Sequence, residues 1–455
     1  MTVRCGEFIS TIILPVFNGL LLFLCISEVI ALGTFDSLLG AAKFLMSSTN
    51  EKINTLNKGI AECGRVNLYG LMQNSFHLNT IISGTEQFVR NMVLKAQVNS
   101  SLSNGLPVIM LHSQNNQLSS EVLQISAGKA AAIVDANSAN FSPFYGLNDY
   151  EAIDIILNSI PEKYDVKQNG RYYLEAVSDL MQANRIPASF NNYVTCPHDT
   201  ILDRVDSLVV AGKITDMVAQ SMRSKIMVGQ SEYYKIDSFL RGLSRQMGNS
   251  LRMKKSNVQP VSLYKTINDK GVLAIDIGPN FNSIYLDFLV EQLKLAAQKG
   301  MQYLLVLDSM NLSENKKLKE MITSSSNNIR TIVSCNDLLY ACGGNQDMFS
   351  SVVAMAKQYL IFSHNSAISA GQWSSVLGEY ERIDETVANT KDRTEQTYSA
   401  AQMYFPEPRQ KSRTVTTSKR RDYIIPPEKI VSMQNNEFYM KADNFRGIRH
   451  GYITN

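Results

Sequence analysis

The chain has 455 residues, of which 44% are hydrophobic and 19% are charged, so most of it can fold into two or three globular domains. Its formal net charge of +3 is too small to indicate nucleic-acid binding from the total charge. The six cysteines include no C-x-x-C pair, and no second pair joins Cys196 and His198 to complete a zinc site. This pattern favours reduced thiols in a domain that lies in the cytosol.

The first predicted element is a hydrophobic segment, Phe8–Ser27, which reads FISTIILPVFNGLLLFLCIS. It carries no charge over twenty residues, and a helix of this length can cross a bilayer. A buried core helix and a cleaved signal peptide are the other interpretations, although Glu7 and the lack of an A-x-A site disfavour the signal peptide. We predict a membrane anchor over residues 1–33 and a helical linker over residues 34–74, in which residues 47–66 are polar and helix-like.

Strand and helix signals alternate after the linker. Short apolar runs at 77–83, 106–113 and 130–137 indicate strands, and residues 87–102 have the spacing of a helix. Apolar strands that are separated by helices are typical of a buried parallel sheet. Residues 75–147 are therefore predicted to form the first part of an α/β domain.

A helical stretch then interrupts this alternation. Residues 148–258 have helical spacing and few strand signals, which predicts an inserted all-helical domain. Strand signals return in residues 259–455, the predicted second part of the α/β domain. The strands expected there are 271–278, 301–310, 329–337 and 358–365, and the clearest helix is 284–299. The whole pattern predicts a doubly wound, mainly parallel α/β sheet with a helical insertion.

A basic segment lies near the end of the chain. Residues 407–422 carry six lysines and arginines against two acids. Such a segment is either a solvated loop or a contact for phosphate groups or acidic lipids, and the sequence leaves both interpretations open.

Residues 84–91, GTEQFVRN, stand directly after the first predicted strand of the α/β domain. A phosphate-binding loop occupies this position and has the form G-x-x-x-x-G-K-[ST]; its lysine reaches the phosphates and its hydroxyl completes a magnesium shell. Gly84 supplies the first glycine, whereas Val89, Arg90 and Asn91 replace the second glycine, the lysine and the hydroxyl residue. The candidate nucleotide contacts are Gly84, Thr85, Arg90 and Asn91.

A second candidate position ends the apolar run LLVLD. Its last residue, Asp308, has the place of a Walker B aspartate, which holds the magnesium of a bound nucleotide. Ser309 follows it, and Ser334 lies in the next predicted strand at the corresponding register. Any magnesium site in this chain would therefore depend on Asp308.

The order of these segments resembles that of type IV coupling proteins, the TraG/TraD-like ATPases of conjugation and type IV secretion. Residues 331–381 resemble the distal half of these proteins, and residues 420–440, RRDYIIPPEKIVSMQNNEFYM, resemble their closing segment. GLPVIMLHSQNNQL resembles the strand that follows the phosphate loop, and FSPFYGLND resembles the entry to the helical insertion. The resemblance covers residues 75–455, and the order of the motifs is its most specific part.

The resemblance implies a RecA-like motor fold, related to that of FtsK, with a site for ATP and magnesium. It implies attachment to the inner (cytoplasmic) membrane, with most of the chain in the cytoplasm. The implied partners are the channel components of a type IV secretion or conjugation system and a substrate, either a relaxase–DNA complex or an effector protein. It also implies a hexamer, formed by copies of this chain or together with an active paralogue.

Three parts of the catalytic site depart from the family's pattern: the loop, the residue after the Walker B aspartate and the sensor position. In the loop, Val89 crowds the phosphates, Arg90 is bulkier than lysine, and Asn91 is not the expected metal ligand. Ser309 replaces the acid that orients the attacking water, and Ser334 replaces the glutamine that senses the γ-phosphate. Because hydrolysis requires these groups together, we predict a pseudo-ATPase that receives or docks substrate at the channel.

Two alternatives stay open. The first is an active ATP-driven coupling ATPase, in which Arg90 contacts the phosphates and Asp308 holds magnesium. The second is an unrelated soluble α/β binding protein. Other residues whose side chains could act in catalysis or metal binding are expected to have structural roles, because no partner of the required type accompanies them in the sequence. These residues are His112, His198, His364, Asp135, Asp276 and Trp373.

Overall fold

The computed structural model describes ten stretches of the chain, which are residues 52–56, 58–72, 75–126, 129–135, 137–166, 168–252, 259–281, 283–324, 327–390 and 412–454. The hydrophobic segment Phe8–Ser27 lies outside them, so the predicted anchor stays a prediction. Within these stretches, none of the helices combines the length and the apolar character that a bilayer span requires.

The chain divides into two compact units. The larger unit consists of Ala61–Val376 and Ile425–Asn455, and the smaller unit consists of Met1–Ile60 and Leu377–Ile424. The predicted phosphate loop and the predicted Walker B strand both belong to the larger unit.

The described strands form one large sheet and one ribbon. Strands β1 to β6 are Ile60–Val66, Thr80–Ser83, Val108–His112, Ala131–Val134, Val272–Asp276 and Tyr303–Asp308. Strands β7 to β12 are Ile329–Cys335, Gln358–Ile361, Glu379–Thr390, Ser412–Tyr423, Glu437–Ala442 and Ile448–Ile453. Among the described residues, the large sheet has the order β1-β12-β11-β8-β2-β7-β6-β3-β5-β4. The strands from β8 to β4 are parallel, and β11 is antiparallel to both β8 and β12.

Besides the helical residues 52–56, sixteen α-helices of the described residues accompany these strands. Helices α1 to α8 are Leu68–Met72, Gln87–Ser103, Asn116–Ile125, Asp149–Ser159, Asn169–Ala183, Phe190–Thr195, Ile201–Val210 and Asp216–Gly229. Helices α9 to α16 are Tyr233–Met247, Leu263–Asn268, Ile284–Gln298, Lys316–Thr323, Leu338–Ala341, Gln346–Met355, Ala367–Leu377 and Pro427–Val431.

The centre of the large sheet is buried on both faces. In β3, Val108 and Met110 belong to a hydrophobic cluster that includes Val93 of α2, while Ile109 and Leu111 are buried on the opposite face. Because side chains alternate along a strand, helices must cover both faces to bury all four residues. This architecture is the doubly wound, mainly parallel α/β sheet that the apolar runs predict.

The parallel strands bring polar residues together at their carboxyl ends. The Cα atom of Asp308, the last residue of β6, pairs in register with His112 of β3 on one side and with Ser334 of β7 on the other. Ser83, the last residue of β2, pairs with Cys335 of β7. Ligands bind at this edge in open α/β sheets, so the fold places the candidate site where the sequence predicts it.

The segment between β4 and β5 is helical in its described residues. It begins with a capping box on α4, in which Asn148 Oδ1 accepts from Glu151 N and the Glu151 carboxylate accepts from Asn148 N. Such a box satisfies two of the N–H groups that a helix N-terminus leaves without intrahelical partners. The predicted limits of a separate inserted domain, residues 148 and 258, stay a prediction.

Two segments differ from the sequence prediction. The stretch 47–66 was expected to be helix-like within a helical linker; residues 52–56 are helical, whereas residues 60–66 form the edge strand β1 with mostly exposed side chains. Alternation of buried and exposed residues, which marks a strand in the sequence, is absent from β1. The basic segment 407–422 was expected to be a loop, but its residues from Ser412 onward belong to β10.

The basic strand β10 pairs with β9 in the smaller unit, and acids of β9 neutralise part of its charge. Lys419 Nζ lies 3.2 Å from the Glu381 carboxylate, and Arg420 Nε lies 3.0 Å from the Asp384 carboxylate. These pairs are exposed, so they contribute little stability, but they lower the net positive charge that the ribbon presents. They favour the solvated interpretation of this segment over a contact for phosphate groups or acidic lipids.

Candidate functional site

The connection between β2 and α2 is shorter than a phosphate-binding loop. Strand β2 ends at Ser83 and α2 begins at Gln87, so three residues connect them. Gly84 N donates to Cys335 O over 3.1 Å, and Thr85 N donates to Ser363 O over 3.0 Å. Two of the three amides of this connection are therefore already bonded to neighbouring backbone carbonyls.

Gly84 is required by packing. A Cβ atom at this position would lie 2.4 Å from Phe362 Cβ and 3.1 Å from Phe362 Cα. Real Cβ atoms do not approach other carbon atoms so closely, and the backbone of Phe362 cannot move without moving the end of β8. The first glycine of the motif thus has a structural reason that is independent of a nucleotide.

Arg90 lies on the first turn of α2 and is buried, with 1% of its surface exposed. Its Nη1 donates to Gly84 O, which connects the helix to the preceding loop. Among the described residues, its Nε has no hydrogen-bond partner. Burial lowers the pKa of Arg90, and the nearby Asp308, Cys335 and Glu86 oppose this effect.

Asp308 is fully buried, and donors of this chain occupy its carboxylate. One oxygen accepts from Ser334 Oγ over 2.6 Å. The other accepts from Asn115 Nδ2 over 2.7 Å and from Ser309 Oγ over 3.2 Å. A buried carboxylate requires such partners, because an unpaired charge in the interior costs several kcal/mol, on the order of 3–5. Three donors of the chain thus compensate the buried carboxylate of Asp308.

Asn91 reaches this carboxylate through Asn115. Asn115 Nδ2 donates to Asn91 Oδ1 over 2.9 Å as well as to Asp308, and its Oδ1 accepts from Leu118 N over 3.3 Å. Asn115 is thereby the N-cap of α3 and the centre of a network that joins α2, α3 and β6. Asn115 is not among the site residues predicted from the sequence. The sequence does carry an indication of this role, because an asparagine that stands between a predicted strand, 106–113, and a helix is a common N-cap residue.

Ser309 has left-handed backbone geometry, with φ of +57°. Its N–H donates to Ser334 O over 2.8 Å, and its hydroxyl donates to the Asp308 carboxylate. A non-glycine residue in this region is strained by about 1 kcal/mol or more, and these hydrogen bonds hold it there. The Ser309 side chain is therefore engaged with Asp308 and offers no carboxylate to an attacking water.

Two buried histidines flank the network. Nδ1 of His112 accepts from Asn115 N over 3.2 Å, so its Nε2 carries the proton and donates to Ser119 Oγ over 2.6 Å. Nδ1 of His364 donates to Phe362 O over 2.8 Å, so its Nε2 accepts from Ser83 Oγ over 2.9 Å. Burial is the largest influence on both histidines and lowers the pKa of each. Both therefore act as neutral, hydrogen-bonded structural residues.

Most of the predicted site residues meet in one place. Gly84, Arg90, Asn91, Asp308, Ser309 and Ser334 lie at the carboxyl ends of β2, β6 and β7 or in the adjacent helix. Thr85 lies apart from the carboxylate, because its hydroxyl and its N–H both donate to Ser363 O. The short loop, the occupied amides and the saturated Asp308 do not fit a magnesium-bound triphosphate.

The remaining candidates have structural contacts. Asp276 Oδ1 accepts from the N–H groups of Gln114 and Gly278, which supports its predicted structural role. His198 stacks on Tyr233 in the helical segment, and Trp373 is buried beside Phe349. Across the part of the chain that the structure describes, no group of three or more His, Cys, Asp or Glu residues could hold a metal ion.

Comparison with known proteins gives matches among solved structures. No protein-family model matches the chain, and no curated protein sequence matches it. The plasmid coupling protein TrwB with a non-hydrolysable ATP analogue matches with a TM-score of 0.50 and 13% identity, over 87% of this chain and 90% of TrwB. TrwB with ADP and Mg²⁺ matches with a TM-score of 0.48 and 13% identity, over 87% and 89% of the two chains. VirB4 of Thermoanaerobacter pseudethanolicus gives a TM-score of 0.42 and 11% identity, over 83% and 89%.

The match to TrwB with the ATP analogue identifies the architecture. The chain has the RecA-like doubly wound fold of the coupling protein TrwB, and the match extends over most of both chains. The fold that the order of sequence motifs predicts is thereby confirmed.

Proposed function

We propose that this chain is a type IV coupling-protein-like component of a conjugation or secretion system and that it does not hydrolyse ATP. The saturated carboxylate of Asp308 is the observation that carries this proposal. Hydrolysis requires donors around the γ-phosphate, a magnesium shell and an oriented water. In this chain the amides of Gly84 and Thr85 are bonded to backbone carbonyls. Asn115, Ser309 and Ser334 donate to the carboxylate of Asp308.

The proposed role is substrate recruitment or docking at the channel, with a relaxase–DNA complex or an effector protein as the substrate. Channel components are the proposed neighbours, and a hexamer with copies of this chain or with an active paralogue is the proposed assembly. The fold of TrwB, described as a bacterial conjugative coupling protein, supports this choice of system.

Attachment to the inner membrane through Phe8–Ser27 is part of the proposal, with the bulk of the chain in the cytoplasm. The support is the uncharged run of bilayer length. We expect the full-length protein to sediment with membranes and to require detergent for extraction, whereas a variant that lacks residues 1–33 remains in the supernatant. Full-length protein that is soluble without detergent would exclude this anchor.

ATP hydrolysis by the purified protein tests the central claim. We expect the release of phosphate from ATP and magnesium to equal that of Asp308→Asn, a variant of similar size that lacks the metal-binding charge. Loss of a transition-state contact commonly costs on the order of 10²–10³ in rate, and several contacts are altered here. Magnesium-dependent hydrolysis that disappears in Asp308→Asn would contradict the proposal.

An active ATPase is the second candidate, and one observation favours it. The guanidinium of Arg90 is buried at the start of α2, and among the described residues its Nε lacks a partner. A phosphate oxygen would satisfy this atom. In that case hydrolysis would be lost in Arg90→Met, a variant that keeps the length of the side chain and removes its charge.

A further inference from the structure

A groove with a volume of about 410 Å³ opens beside the first turns of α2 in the larger unit. Glu86, Phe88 and Met92 line it from the α2 side. Arg65 of β1 and the pair Asn435 and Asn436, which precedes β11, line it from the opposite side. The groove is separate from the buried network of Asp308, and its size lies within the usual range of small-molecule sites.

The groove offers polar groups that the chain leaves unused. In the described residues, no hydrogen bond or ion pair engages the Arg65 guanidinium or the Glu86 carboxylate, and Glu86 makes no side-chain cap on α2. Asn436 Nδ2 donates to Ile453 O over 3.2 Å, which fixes this side chain in the wall of the groove. One cation, one anion and the Asn435 amide therefore remain available to a ligand.

The groove also offers an aromatic surface. Phe88 is 56% exposed although it is a large hydrophobic residue, and it lies beside the methionine side chain of Met92. A planar heteroaromatic ring can stack on an exposed phenylalanine, and such stacking tolerates any base. Asparagine side chains recognise the edges of bases through paired donors and acceptors, and a carboxylate accepts from an exocyclic amino group.

We propose that this groove binds a nucleoside monophosphate. The base stacks on Phe88 and donates its exocyclic amino group to Glu86 or Asn435, while Arg65 binds the single phosphate by its guanidinium fork. The amides of the β2–α2 loop take no part, because they are bonded to Cys335 O and Ser363 O. The proposal goes beyond the function in secretion and does not depend on hydrolysis.

Isothermal titration of the full-length protein with AMP, adenosine and inorganic phosphate tests this proposal. We expect AMP to bind without magnesium, adenosine to bind more weakly, and phosphate alone not to bind. Phe88→Ala should weaken AMP binding by about tenfold, because base stacking on an aromatic side chain contributes on the order of 1–3 kcal/mol. Tyr340→Ala is the matched control: Tyr340 is 80% exposed and lies outside the groove, so AMP binding should not change.

A second pair of variants tests the phosphate contact. Arg65→Gln should weaken AMP binding and leave adenosine binding unchanged, whereas Arg446→Gln, at an exposed arginine outside the groove, should change neither. Absence of AMP binding would overturn the proposal, and so would binding that Phe88→Ala and Arg65→Gln leave intact. Neither result concerns ATP hydrolysis, so failure here is distinguishable from failure of the proposed function.

Discussion

The two sides of the first turns of α2 differ in how their polar groups are satisfied. On the inner side, Arg90 and Asn91 are buried, and the carboxylate of Asp308 beyond them is saturated by groups of the chain. On the outer side, Glu86 and the exposed ring of Phe88 line an open groove, and the described residues offer the Glu86 carboxylate no hydrogen bond or ion pair. Buried polar groups depend on partners within the protein, which the Asp308 carboxylate has and Arg90 Nε lacks among the described residues, whereas exposed groups can be satisfied by water or by a ligand.

Asn115→Ala gives the largest expected loss of stability on the inner side of α2. The substitution removes a donor to the buried Asp308 carboxylate and the N-cap of α3, which together should lower the free energy of unfolding by about 3 kcal/mol. Asn345→Ala is the matched control, since Asn345 only caps α14, and it should cost about 1 kcal/mol. Urea denaturation followed by the fluorescence of the buried Trp373 measures both. Equal losses would mean that Asp308 does not depend on Asn115.

Gly84→Ala tests whether packing explains the first glycine of the motif. The added Cβ meets Phe362, and overpacking of this kind costs about 1–3 kcal/mol without any nucleotide present. Gly70→Ala in α1 meets no atom within 4 Å and should be neutral or stabilising by up to about 1 kcal/mol. The same denaturation measurement compares the two variants. If Gly84→Ala is as stable as the parent protein, contact with Phe362 does not explain the glycine in the connection between β2 and α2.

The buried histidines His112 and His364 should make the stability of the fold decrease in acid. Burial lowers the pKa of His112 and His364, so both stay neutral in the folded chain while the unfolded chain takes up protons below about pH 6.5. Stability is therefore fully present above this pH and falls as the pH decreases, by at most about 1.4 kcal/mol per pH unit for each histidine.

The double variant His112→Gln with His364→Gln should show a smaller decrease between about pH 7 and about pH 5.5. His77→Gln, at an exposed histidine, should keep the slope of the parent protein. Denaturation curves at several pH values give the comparison. An unchanged slope in the double variant would show that these two side chains do not control the acid response.

The sequence predicts the central sheet well because its strands are buried on both faces. Runs such as LLVLD and VIMLH are apolar throughout, and this continuity indicates parallel strands in their correct order. The adjacency of Asp308 and Ser334 follows from the same register. Strand β1 was missed because an exposed edge strand does not need the apolar pattern from which the other strands were predicted.

The closed loop was only partly predictable. The helical spacing of residues 87–102 already conflicts with a phosphate loop that extends to Asn91, and α2 does begin at Gln87. The saturation of Asp308 could not be read from the sequence, because Asn115 precedes it by 193 residues. Contacts of this kind depend on the positions of three strands and two helices, which no local pattern specifies.

The contact between Gly84 and Phe362 affects how sequence evolution in such a chain is interpreted. Packing against Phe362 requires a glycine at this position whether or not a nucleotide binds. The first glycine of a phosphate motif can therefore outlast the activity that gave the motif its name. A match to the motif at this glycine alone is therefore not evidence of nucleotide chemistry, because contact with Phe362, the residue after β8, is enough to require a glycine here.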